Sequence, residues 1–111
     1  MDISFKNKKT QKVFNSSTEL TKKYGVRNAR IIQRRMAVLQ AAPTLADVPH
    51  RRPERRHQLE GKRQGEYAVD VEHPFRIVFK PGHNPIPKTR DGGVDLTRVT
   101  AIEILGIEDY H

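Results

Sequence analysis

The stretch Gly65-Glu66-Tyr67-Ala68-Val69-Asp70-Val71-Glu72-His73-Pro74-Phe75-Arg76-Ile77-Val78-Phe79-Lys80 decides the fold class. Tyr67, Val69 and Val71 alternate with Ala68 and Asp70, and Phe75, Ile77 and Phe79 alternate with Arg76, Val78 and Lys80. An apolar period of two belongs to a strand with one buried face, because successive side chains point to opposite sides of a sheet. Between the runs, Glu72-His73-Pro74 favours a turn. The spacing therefore predicts strands over 66–71 and 75–80. Just upstream, His57-Gln58-Leu59-Glu60 predicts a short strand, and Gly61 to Gly65 a turn. Downstream, the apolar residues of 98–107 predict a last strand. The segment Lys80 to Leu96 holds Pro81, Gly82, Pro85, Pro87, Gly92 and Gly93, which reads as the mobile end of a long hairpin.

The first half of the chain has another period. Ile3 and Phe5 open with a strand over 3–5, and Lys8 to Phe14 is a weak helix. Ser16 and Glu19 have capping-box spacing for a helical turn through Tyr24, which Gly25 stops. Ala29, Ile32, Met36 and Leu39 recur at helical spacing and predict a helix over 27–41, with Arg30, Arg34 and Arg35 mostly off its apolar face. Pro43 ends it, and Leu45 and Val48 cover an edge of the core. The period switches from 3.6 to 2 near residue 55. The expected fold is α+β: one domain over 1–111, a mainly antiparallel sheet of four to five strands, and two to three N-terminal helices on one face. The other face is left partly open for a partner.

With 111 residues the chain can bury one modest core. It has no Cys, which excludes disulfides and thiolate metal sites. No apolar run approaches the roughly 20 residues of a membrane helix, and the N-terminus lacks the pattern of a signal peptide. A cytoplasmic protein that needs no membrane is expected. The net charge of +8 favours a polyanionic partner. Arg51, Arg52, Arg55, Arg56, Lys62 and Arg63 crowd one segment beside a strand. The chain ends on Asp109-Tyr110-His111, an acid, a phenol and an imidazole directly after the last strand.

Four pieces in this order resemble the RelE/ParE toxin superfamily: Arg55-Arg56-His57-Gln58-Leu59-Glu60-Gly61, Gly65-Glu66-Tyr67-Ala68-Val69-Asp70-Val71, Phe75-Arg76-Ile77-Val78-Phe79, and Asp109-Tyr110-His111. The likeness is greatest to the HigB (plasmid killer) branch, and the helical first half has the matching order and size. The resemblance implies a RelE-like fold and a toxin of a type II toxin–antitoxin system. Such a toxin is a ribosome-dependent endoribonuclease that cuts translated mRNA. It also implies a HigA-like antitoxin with a helix-turn-helix domain, through which alone the toxin reaches an operator DNA. Where the branch has a lysine three residues after the histidine, this chain has Glu60.

Cleavage of RNA by its own 2′-oxygen needs a group to take the hydroxyl proton, one to stabilise charge on the phosphorane, and one to protonate the leaving oxygen. His111 and His57 are the imidazole candidates, since an imidazole titrates near about pH 6.5. Arg76 points away from the apolar side chains of its strand, where a guanidinium fork can hold a phosphate. Tyr110 can stack on a base. Asp109 could orient His111 or Tyr110, or contact the antitoxin. Arg55, Arg56, Lys62 and Arg63 are the RNA-binding candidates. Glu60 is expected to pair with Lys62, and His50, His73 and His83 to be solvated. No histidine has metal-ligand spacing, so no metal and no cofactor is expected. Two other classes stay open: a non-catalytic ParE-like toxin that binds a protein such as DNA gyrase, for which Glu60 argues, and a small basic RNA-binding protein.

Overall fold

The computed structural model describes residues 1–109. In chain order the main elements are β1 (Asp2–Phe5), α1 (Lys8–Phe14), α2 (Ser17–Tyr24), α3 (Val26–Ala41), β2 (His57–Gln58), β3 (Tyr67–Asp70), β4 (Phe75–Pro81) and β5 (Ala101–Asp109). The strands form a five-stranded sheet in the order β1-β5-β4-β3-β2. The α+β class and the helices-then-meander order are as the apolar periods predict.

Local chemistry sets the helix ends. The Asn7 side chain accepts from the Thr10 N–H at 2.8 Å to open α1, and Ser16 Oγ accepts from the Glu19 N–H at 3.2 Å to open α2. Gly25, at φ 86, closes α2 and opens α3 at once. Its N–H donates to Thr21 and its carbonyl accepts from Ala29, both at 2.9 Å. The core forms where Leu20, Ala29, Ile32 and Leu39 meet Tyr67, Val69, Ile77, Phe79, Ile102 and Ile104. Leu45 and Val48 are fully buried at its edge. The buried Asn28 is the polar exception. Its side-chain oxygen accepts from the Glu72 N–H at 3.1 Å, tying α3 to the β3–β4 turn.

The structure differs from the sequence expectation at several ends. β1 lies parallel to β5 while the other pairs are antiparallel, so the sheet is mixed. The helices between β1 and the meander supply the long connection a parallel neighbour needs. β2 stops at Gln58 because the chain enters a 3₁₀ turn at Gly61–Arg63. Residues 98–100 do not join β5, because Leu96–Arg98 form a 3₁₀ turn under the Asp95 side chain, and the strand runs on to Asp109.

The segment between β4 and β5 has its own pairing rather than the bare loop expected. Lys88 and Val94 form a β-bridge, and the Gly82 N–H donates to Ala101 at 2.8 Å. His83 is not a solvated loop residue. Its Nε2 accepts from the N–H groups of Thr100 and Ala101 at 3.0 and 3.3 Å. His50 and His73 are exposed.

Candidate functional site

One face of the sheet is covered by helices. On the other, strand alternation brings the polar residues of the meander together. Asp70 pairs in register with Arg76, and Arg76 with Glu108, so the three form a row across β3, β4 and β5. The neighbouring row is His57, Ala68, Val78 and Gly106. Ala68 and Val78 are fully buried, covered with Leu59 and Leu105 in a small apolar patch. Leu105 is the extra residue of a β-bulge, since Val78 opposes Gly106 while Phe79 opposes Ile104. His57 and Arg76 thus share this face. They lie two strands apart, about 10 Å across the sheet.

His57 is oriented by its own chain. Its Nδ1 lies 2.7 Å from the Arg55 carbonyl oxygen. A carbonyl only accepts, so Nδ1 carries the proton and Nε2 is left to accept from a ligand. Arg55 is held in turn. It has φ 47, the one non-glycine residue with positive φ among the described residues. Its Nε and Nη2 form a fork on Asp70, at 2.5 and 3.0 Å. Behind it the Asp70 carbonyl accepts from Arg35 Nε of α3 at 2.7 Å. Asp70 therefore fixes the residue whose carbonyl aims the imidazole.

The other end of the row carries a second clamp. Arg63 donates to both oxygens of Glu108, at 2.5 and 2.8 Å. It also donates to Glu66, from Nε at 3.0 Å and from Nη2 at 2.7 Å. Hydrogen bonds from Arg63 hold the Glu108 carboxyl below its ordinary value, against the effect of burial. The hydrogen bonds that Arg63 donates to Glu108, and then those to Glu66, raise its own guanidinium above the ordinary value. Arg55, Arg76 and Arg63 thus stand among Asp70, Glu108 and Glu66, three guanidinia against three carboxylates.

The sequence candidates separate accordingly. Arg55 and Arg63 are engaged by carboxylates, and Arg56 donates to the Val48 carbonyl at 3.0 Å, half-buried. Lys62 is exposed at the turn before β3, and no ion pair joins it to Glu60 among the described residues. Asp109 ends β5 opposite Phe75, in the register position next to Arg76, and alternation puts it on the helix side rather than beside Arg76. Tyr110 and His111 lie outside the described residues. Sequence reading missed Asp70, Glu66 and Glu108. Their only signal was acids at polar positions of the meander, and their partners appear only once the register is known.

Charge is also segregated between the two halves of the chain, beside the basic cluster at 51–63. Residues 1–41 hold ten Lys or Arg against two acids, while residues 42–111 hold eleven against eleven. The whole excess of +8 belongs to β1 and the helical layer.

No protein-family model matches this chain, and no curated protein matches it by sequence. A solved structure does. It is a YoeB/ParE toxin from Agrobacterium tumefaciens, superposed over 100% of both chains with a TM-score of 0.56 at 11% sequence identity. The chain has the YoeB/ParE toxin fold. The mixed sheet with its helices on one face is therefore an architecture seen in a toxin, and the RelE-like expectation for the fold holds. Among the described residues no helix is long and apolar enough to cross a membrane.

Proposed function

We propose that this chain is the toxin of a toxin–antitoxin pair and that it cuts translated mRNA on the ribosome. The observation that carries the proposal is the sheet face on which His57, with Nε2 free to accept, and Arg76 stand together in a toxin fold. In this reaction His57 takes the 2′-hydroxyl proton and Arg76 stabilises the charge that gathers on the phosphorane. Tyr110 and His111, which follow Asp109 at the end of the strand opposite Arg76, stack on a base and return a proton to the leaving oxygen. So few groups leave substrate positioning to the ribosome, which is why activity would require it. The helical layer, with the chain's entire positive excess, is the surface suited to ribosomal RNA. Within the superfamily the sequence motifs favour the HigB branch, with a HigA-like helix-turn-helix protein as the neutralising partner and the cytoplasm as the setting.

Primer extension on a translated message tests this directly. Arg76→Ala and His57→Gln should each slow cleavage by about 100-fold or more, and truncation before Tyr110 should abolish it. Cleavage at the wild-type rate in all three would end the nuclease assignment. A second reading is favoured by the carboxylates on both sides of Arg76, which oppose a phosphate. It is a ParE-like toxin that binds a protein such as DNA gyrase without catalysis. Inhibition of supercoiling, with mRNA left intact, would select it.

A further inference from the structure

Glu108 stands directly opposite Arg76 in the β4–β5 register, on the open face of the sheet. Both of its carboxylate oxygens accept from Arg63, at 2.5 and 2.8 Å. Hydrogen bonds from Arg63, and then the charges of Arg63, Arg76 and Lys6, keep that carboxyl ionised against the effect of burial. An anion with two oxygens in a guanidinium fork, beside a second guanidinium, is also what a phosphate would present there. The chain thus brings its own anion to the cations of this face.

That anion competes strongly because it is intramolecular. It is carried on β5, inside the sheet, so it loses no translational freedom in meeting Arg63. A free RNA strand must make the same contact from dilute solution. Displacing Glu108 would also leave a half-buried carboxylate without its donor. An RNA already held against the sheet by another body competes on equal terms, since its phosphate is then local as well.

We propose that Glu108 is a specificity-determining residue: a built-in anion that closes Arg63 and Arg76 to free single-stranded RNA and yields only to RNA held in place by a larger assembly. Glu66 keeps Arg63 at hand throughout. It accepts two bonds from Arg63, at 3.0 and 2.7 Å, so the guanidinium stays anchored when Glu108 is displaced. The inference rests on the nuclease reading for what the site takes and on the clamp geometry for what it refuses.

Labelled dodecauridine, titrated into the full chain without ribosomes, is the probe. Glu108→Gln should bind it about tenfold more tightly than the wild type, with a slope of log affinity against log salt steeper by about 0.7 for one phosphate gained. Glu108→Ala should give the same gain, and adding Arg63→Ala to Glu108→Gln should cancel it. Glu103→Gln is the control. It lies on the same strand and face, about 13 Å away, and frees Lys80 with the same change of net charge. Its gain should stay under about twofold. In the wild type, the side-chain NMR signals of Arg63 and Glu108 should not move as dodecauridine is added, and this measurement decides even where a variant does not fold. Equal affinity of Glu108→Gln and wild type, an equal gain from Glu103→Gln, or moving Arg63 and Glu108 signals in the wild type would overturn the proposal. A gain in Glu108→Gln with no mRNA cleavage by the wild type would instead remove the nuclease assignment and leave the closed site standing.

Discussion

Arg55 holds a left-handed backbone at φ 47, where a residue with a Cβ costs about 1–2 kcal/mol. Its fork on Asp70 offsets that cost and fixes the carbonyl that orients His57. Two substitutions separate the terms. Arg55→Ala loses the fork and keeps the strain, whereas Arg55→Gly loses the fork and the strain together. Urea denaturation should therefore show Arg55→Ala less stable than Arg55→Gly by about 1 kcal/mol. Equal stability, or the reverse order, would mean that the backbone at residue 55 is not held left-handed in solution. At this scale the sequence offers His57 and Arg76 as candidates but not what surrounds them. A residue's chemistry is readable from its type. Its partner depends on cross-strand register, and nothing in Arg55-Arg56-His57 indicates that Asp70, fifteen residues on, closes over Arg55.

The Gly61–Arg63 turn and β5 lie far apart in sequence and are joined by the guanidinium of Arg63 on Glu108. Because that pairing lowers the carboxyl of Glu108 below its ordinary 4.5, the folded chain releases this proton more readily than the unfolded one. The stabilisation is complete above about pH 4.5 and fades as pH falls through the lowered value. Melting curves between neutral pH and about pH 3 should show the wild type losing more stability on acidification than Glu108→Gln. Parallel losses would show that the clamp adds nothing to the fold. The elements themselves were mostly legible, because an apolar period of two or 3.6 is a local property: α1, the core of α3, and β3 and β4 lie where it puts them. Strand direction and pairing are not local. The pattern of Ile3 and Phe5 is the same whether β1 runs parallel or antiparallel to its neighbour, and only the fold makes it parallel to β5. Likewise the period continues through Leu59, but the turn at Gly61 ends β2 earlier.

Across the whole molecule, the net excess of charge that first suggests a polyanionic partner falls in residues 1–41, while the cations of residues 42–111 are matched in number by acids. The meander and its connections are neutral in sum, and the cations nearest Arg76 are engaged by carboxylates, so the sheet face can read a phosphate only locally. The helical layer carries the field. Arg30 and Arg34 are exposed on α3, a helix without a single acid, and Arg51 and Arg52 are exposed in the segment before β2. Reversing either pair changes the net charge by the same amount. If net charge alone drew RNA to this protein, Arg30→Glu with Arg34→Glu and Arg51→Glu with Arg52→Glu would weaken binding to single-stranded RNA equally. Segregation predicts otherwise. Each phosphate that the protein no longer neutralises lowers the slope of log affinity against log salt by about 0.7. The α3 pair should therefore lower that slope by about 1.4, and the segment pair by well under half of that. Equal slopes, or a larger loss from Arg51 and Arg52, would return the RNA surface to the basic segment beside β2. The helical layer would then need another partner for its excess charge.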